Sequence, residues 1–273
     1  IVSFFSILNI FYSVYFDFYI ALNSYLITFS VSTLAGLFFY FFGRNYSKDI
    51  SLTDQIILIV LTFIFLPIVI SIPYYLSIYN FNLLNSYFES ISGFTTTGFS
   101  IIQNINDIDE PLILWRSSSQ WLGGLIFLIV TIGTIGSKQI KIKPSYLISG
   151  GASGRNFYNN FNYNFLKIFL IYFARTIFVI FLYKISGLRL LDSFNLAFTT
   201  ISSGGFLPNK SLSSIILNNL QTFIVSITLL FPILNFFLIY DIISNKFLLK
   251  KYQEDLHLIL FILLLTFFLS FFL

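Results

Sequence analysis

Cysteine and methionine are both absent from these 273 residues, and histidine occurs once, at His257. Without cysteine there is neither a disulfide nor a thiolate metal site. His257 has no second histidine or cysteine to join it as a metal ligand, and its expected role is structural. Charge is scarce too: 10% of the residues are charged, where soluble domains carry roughly a quarter. The absence of methionine means that Ile1 is not an initiator. Residues 1–16 are already apolar and the run from 256 stops while still apolar, so the chain reads as a segment that begins inside one membrane helix and ends inside another.

What is present is apolar. Hydrophobic residues make up 57% of the chain and the mean hydropathy is +0.87, which places it among polytopic membrane proteins. The net charge of +4 does not point to nucleic acid, because the basic residues fall in short loops, as topology determinants do. The abundance of aromatics reads as nucleotide-composition bias and carries no functional weight.

A ruler of roughly twenty apolar residues per span places membrane helices at 1–16, 20–42, 55–78, 112–136, 164–186, 213–243 and 256–273. Pro67 and Pro73 should kink the third or end it early, Pro232 should bend the sixth, and Pro111 suits the first turn of the fourth. The loops after the second, fourth and sixth helices hold Arg44, Lys48, Lys138, Lys141, Lys143, Arg155, Lys246, Lys250 and Lys251, against Lys184, Arg189 and Lys210 on the other side. The richer side is therefore expected to be cytoplasmic. That parity holds only if residues 84–102 enter the membrane and return to the same face.

Residues 84–102, LNSYFESISGFTTTGFSII, are too polar for a good span. The run from Ser92 to Ser100 sets three threonines between two glycines, which is poor helix interior and suits extended backbone. Non-helical backbone at membrane depth is tolerated where it is buried in protein or lines an aqueous cavity. Rings of backbone carbonyls in such segments replace the hydration shell of potassium. A polar loop between helices is the plainer reading.

The chain repeats this stretch. LDSFNLAFTTISSGGF at 191–206 aligns without a gap on 84–99 at an offset of 107, placing Asp192 on Asn85, Gly205 on Gly98 and Phe206 on Phe99. Each copy is expected to open on a capping residue, Asn85 or Asp192, to continue as a half-helix and to end in a hydroxyl and glycine run. Duplicated structural units are the reading of such a repeat. The division is 1–53 for an N-terminal helix pair, 54–150 for a first unit, 151–245 for a second and 246–273 for the start of a third. The fold class is thus an all-α polytopic membrane protein with two re-entrant half-helices, at 84–102 and 191–208.

Three motifs, FESISGFTTTG at 88–98, LWRSSSQWLGG at 114–124 and TTISSGGF at 199–206, occur together. In order and approximate spacing they resemble the bacterial potassium-uptake transporters of the Trk, Ktr and HKT superfamily, specifically the TrkH-like membrane subunit. The resemblance runs from about residue 54 to 273, with the first two helices matching that family's additional N-terminal pair. It implies four pseudo-symmetric helix, pore-loop, helix units around one potassium path in an inner membrane, of which two and the start of a third are here. It implies a filter at Thr95, Thr96, Thr97, Gly98, Ser202, Ser203, Gly204 and Gly205, with potassium as the transported ion and no cofactor in this chain. The alignment favours Gly205 over Gly204 as the counterpart of Gly98. In plant relatives serine at the position of Gly98 accompanies sodium permeation, so glycine implies potassium selectivity. A homodimer and a cytoplasmic TrkA-like nucleotide-binding regulatory subunit are implied partners, besides membrane lipid. The basic loop from Lys138 to Arg155 either docks that subunit or serves only as a topology signal. Alternatives to conduction are a non-conducting structural subunit, an incomplete relic, or an intramembrane enzyme, for which no carboxylate pair lies within a span.

Other polar residues have expected roles. Glu89 either adds negative potential at the outer mouth or hydrogen-bonds a neighbouring unit. Arg116 should pair with Glu89 or Glu110, and Arg175 should find a structural partner or a break in backbone. Gly123 and Gly124 should allow close helix packing, and Trp115 and Trp121 should anchor at the membrane interface.

Overall fold

The computed structural model describes residues 1–45, 52–135, 161–233, 236 and 253–269. Every regular element among them is helical: α1 Val2–Tyr15, α2 Leu22–Gly43, α3 Leu52–Ile70, α4 Ile72–Tyr75, α5 Leu83–Phe94, α6 Glu110–Ile135, α7 Phe161–Ile185, α8 Leu190–Ser202, α9 Asn219–Thr228 and α10 Gln253–Leu269. Four contain stretches long and apolar enough to cross a membrane: Leu22–Gly43, Ile56–Tyr75, Glu110–Thr131 and Phe165–Ile185. These are the second to fifth expected spans. Helices α1 and α10 are apolar but shorter.

The sixth expected span is corrected. Residues Leu212–Ser214 form a single 3-10 turn, and α9 begins only at Asn219, where Asn218 and Gln221 make a capping box. The helix stops at Thr228. Pro232 has no N–H to offer, and its ring would strike the carbonyl four residues back, which is that of Thr228. The chain tightens instead into i to i−3 bonds, with Leu230 N on Ile227 O, Phe231 N on Thr228 O and Ile233 N on Leu230 O, each 3.1 Å. The remainder of that span, the loop carrying Lys138, Lys141, Lys143 and Arg155, and Lys48, Lys246, Lys250 and Lys251 lie outside the described residues. In the third span the break falls at Ser71, and Pro73 sits in the first turn of α4.

Helix α6 is the centre of the fold. It packs against α1, α3, α5, α7 and α8. Of its membrane stretch 67% is buried by protein, against 6% for α2, whose Leu34, Phe38, Phe39 and Phe42 are left to face lipid. That cover is why α6 tolerates Arg116, three serines and Gln120 in a row that α2 has no means of sheltering.

Both half-helices enter from one face. The Tyr12 hydroxyl, at the end of α1, donates to Glu110 Oε2 at the start of α6 (2.6 Å), and Glu110 lies 3.6 Å from the guanidinium of Arg189, the residue that immediately precedes α8. The Tyr79 hydroxyl, four residues before α5, donates to Asp109 Oδ1 at 3.0 Å and accepts from Asp109 N at 2.7 Å. Burial raises the Asp109 carboxyl above its usual pKa. The ends of α1 and α4 and the starts of α5, α6 and α8 therefore share a face, so 84–102 enters and returns as the charge parity requires.

Candidate functional site

Helix α5 starts earlier than the sequence suggests. Its cap is Asn82, whose side chain accepts from Asn85 N at 2.7 Å, so Asn85 is the recipient of the cap and not the cap itself. Asp192 is displaced likewise: Arg189 holds the cap position of α8 and binds the Asp192 carboxylate at 2.8 Å. Both helices also run further than propensity allows, through Gly93 and Phe94 in α5 and through Ser202 in α8. Tertiary contact overrides propensity here. Ser119 of α6 presses so close to Gly93 that a Cβ there would lie 2.2 Å from its Oγ.

The two copies then end in the same way, residue for residue. Thr96 N bonds Gly93 O at 2.9 Å and Thr97 N bonds Ser92 O at 3.0 Å; Ser203 N bonds Thr200 O at 3.2 Å and Gly204 N bonds Thr199 O at 2.9 Å. This is the Schellman pattern, normally built on glycine in the left-handed region. Here threonine and serine occupy it, with φ of 55° at Thr96 and 57° at Ser203. A non-glycine residue held there costs of order 1–3 kcal/mol. Two residues on, Gly98 and Gly205 have φ of 79° and 81°. Gly204 does not share it, so Gly205 is the backbone counterpart of Gly98. Thr95 Oγ1 and Ser202 Oγ repeat the match, donating to Ile91 O at 2.7 Å and Phe198 O at 2.8 Å.

The structure brings the two segments together. A Cβ on Gly98 would lie 2.3 Å from the Gly204 carbonyl oxygen, so glycine is required at 98 by contact as well as by φ. In the first segment Thr95 and Thr97 are exposed within this chain, their hydroxyls 2.8 Å apart; in the second, Ser202 and Gly204 are buried. The C-terminal ends of α5 and α8 lead directly into these turns, and the partial negative charge of each favours a cation nearby.

Helix α6 ties the segments to each other. Arg116 Nε donates to Glu89 Oε1 at 2.9 Å, both side chains being 1% exposed. Glu89 also accepts from Ser100 Oγ at 2.9 Å and from Ile101 N at 3.0 Å, and Arg116 Nη2 donates to Ser100 Oγ at 3.0 Å. Glu89 thus holds the loop that follows Gly98 and does not face an open mouth. On its other side the guanidinium lies over the ring of Phe206, 4.2 Å from its centroid, in cation–π contact with the second segment. Phe99, its counterpart by the repeat, is 70% exposed in this chain.

One turn on, Gln120 makes three bonds. Its Nε2 donates to Gly204 O at 2.6 Å, and its Oε1 accepts from Thr199 Oγ1 at 2.8 Å and Phe206 N at 3.1 Å. Ser117 Oγ donates to Asn195 Oδ1 at 2.5 Å. Sequence reasoning did not single out Gln120. The available signal was its spacing of four from Arg116, which puts two intramembrane polar groups on one helical face.

Trp115 and Trp121 are not interface anchors. Both are buried, their indole N–H groups donating to Ile70 O at 3.0 Å and to Thr176 Oγ1 at 2.9 Å. An indole in the interior needs such an acceptor, and both find one on a neighbouring helix. Arg175 Nη2 donates to Phe231 O in the turn that ends α9, the backbone break expected for it.

Gly123 shows how tightly α6 meets α5: a Cβ there would lie 1.7 Å from Phe94 O. Gly123→Ala should therefore destabilise the protein, whereas Gly36→Ala, whose Cβ meets nothing within 4 Å on α2, should leave it unchanged or slightly more stable. Thermal melting of the two variants in detergent measures the difference. Equal melting points would mean that the α5–α6 contact is looser than described.

An all-helical, multi-pass membrane protein with two matched half-helices lodged between its spans is the class that this arrangement defines. No family model matches the sequence. The chain is 30% identical over 196 residues to an uncharacterized cation transporter of Methanocaldococcus jannaschii, covering 65% of this chain and 38% of that protein. It is 24% identical over 182 residues to the Trk system potassium uptake protein TrkH of Vibrio parahaemolyticus, covering 66% of this chain and 38% of TrkH. The crystal structure of the potassium transporter TrkH from Vibrio parahaemolyticus superposes with a TM-score of 0.79 at 22% identity, over all of this chain and 56% of that one. The chain is thus similar in sequence to cation transporters, Trk system potassium uptake proteins among them, and shares the fold of TrkH. Those relatives are transporters and not enzymes, and the chain spans 38% of the length of each of the two curated ones.

Proposed function

We propose that the protein containing this chain conducts potassium through the membrane along a path lined by backbone carbonyls, and that this chain supplies two of its four filter segments. Thr95, Thr96, Thr97 and Gly98 form one, and Ser202, Ser203, Gly204 and Gly205 the other. The observation that carries the reading is the paired backbone: left-handed turns at Thr96 and Ser203, then positive-φ glycines at Gly98 and Gly205, with Gly98 set against the Gly204 carbonyl. Flexible polar loops have no reason to repeat strained dihedrals to within a few degrees; segments that present carbonyls to one shared ion do. Homology to proteins named for potassium uptake supports potassium as the ion.

The division into an N-terminal helix pair and successive pore units goes with this reading, as do a homodimer, a bacterial cytoplasmic membrane and a TrkA-like regulatory subunit at the cytoplasmic face. The test is growth of a bacterial strain lacking its potassium uptake systems, at low external potassium, carrying the full-length gene. Rescue is the expected result. A protein that reaches the membrane and never rescues would leave the duplicated loops as a structural device without conduction.

A further inference from the structure

We infer that Gln120 is a positioning residue for ion selectivity: its side-chain amide clamps both flanks of Gly205 and holds the Gly204 carbonyl against Gly98. The inference rests on the filter reading above and assigns a specific role to a group outside the filter backbone.

Gln120 is fully buried, and its amide is used on both sides. The donor takes Gly204 O, the residue before Gly205; the acceptor takes Phe206 N, the residue after it. Thr199 Oγ1, in the last turn of α8, completes the acceptor and sets which way the amide faces. Gly205 has φ of 81° and, within this chain, nothing within 4 Å of its Cβ position, so sterics alone do not hold that backbone. The clamp does. Gly204 is glycine for the same reason, since a Cβ there would lie 2.3 Å from Gln120 Cδ. Because the Gly204 carbonyl oxygen is also the atom that Gly98 abuts, one amide fixes the second segment to α6 and fixes its separation from the first.

Counted on at the offset of 107, Ile227 and Phe223 fall opposite Gln120 and Arg116, so those positions of α9 hold no counterpart of the clamp; the glutamine of α9, Gln221, instead donates to Ser186 O and accepts from Leu217 N. A selectivity filter distinguishes ions by the position and stiffness of its carbonyls. Loss of the amide donor frees Gly204 O while leaving every filter residue in place.

The experiment uses the full-length protein in membrane vesicles, measuring rubidium and sodium influx, the amount inserted and the melting temperature. Three variants are compared with the unaltered protein: Gln120→Leu, which removes all three bonds; Gln120→Glu, which sets a carboxylate oxygen against Gly204 O; and Thr199→Val, which removes only the group that orients the amide. The rubidium-to-sodium influx ratio should fall about tenfold for both Gln120 variants, the factor set by a single buried hydrogen bond, and by less for Thr199→Val. A residue that merely stabilised the fold would lower inserted protein and all fluxes together with the ratio unchanged, and that outcome overturns the inference. If Gln120→Leu does not accumulate, the other two variants decide on the same ratio. If the unaltered protein carries no rubidium, the filter reading itself fails; if it does and the variants keep its ratio, only the role of Gln120 fails.

Discussion

Gly98→Ser in the full-length protein should abolish potassium-selective uptake, with rescue of growth at low potassium lost or sodium influx gained. Two independent costs converge on this residue. Its φ of 79° lies where a side chain is strained, at roughly 1–3 kcal/mol. Its Cβ would also sit 2.3 Å from Gly204 O, and that obstacle is backbone, which has no rotamer to turn away. The carbonyl must move, and with it the spacing between the two segments. Since 1.4 kcal/mol corresponds to a factor of ten, a fall of about tenfold or more in potassium over sodium discrimination is expected. Ion influx and growth at graded potassium concentrations measure it. Unchanged selectivity in a serine variant that inserts normally would remove residues 95–98 from the conduction path.

The second large effect is on folding. Arg116→Ala leaves the Glu89 carboxylate buried without its cation, and Glu89→Ala strands the guanidinium. Breaking one side of a buried pair costs about 3–5 kcal/mol. Each single variant should lose most of its folded protein, read as monodisperse material in detergent and as melting temperature. The double variant Glu89→Gln with Arg116→Met should recover much of the loss, because it leaves no unpaired charge. It should not recover the loop after Gly98, where Ser100 and Ile101 depend on the carboxylate, so the double variant is expected to be stable but impaired in transport. A double variant no more stable than the single ones would show that the two residues do not act as a pair.

Several features were legible in the residues because they are local. Apolar runs of membrane length require helices whatever surrounds them, and α2, α3, α6 and α7 follow the sequence closely. The ungapped repeat at an offset of 107 anticipated two half-helices, and its choice of Gly205 matches the positive φ found there. Boundaries were harder. Asn85 and Asp192 fit the capping pattern, yet the helices begin a turn earlier, because Asn82 is an equally good cap for the first and Arg189 precedes the second with no side-chain cap bond at all. The sixth span was expected to bend at Pro232, and the helix in fact ends four residues earlier, at Thr228, whose carbonyl the proline ring would strike.

What the sequence by itself determined is the class of the chain, its spans and the existence of two related polar loops, all of which follow from transfer energy and repetition along one dimension. Only the tertiary structure decided which polar groups meet: Arg116 reaching Glu89 on one side and Phe206 on the other, Trp115 and Trp121 turned inward, and Gln120 gripping the backbone around Gly205. Each of these contacts joins residues 27 to 90 positions apart in the chain. The physical reason is that a polar group in a span has to be satisfied by some partner, but which partner depends on how the helices pack.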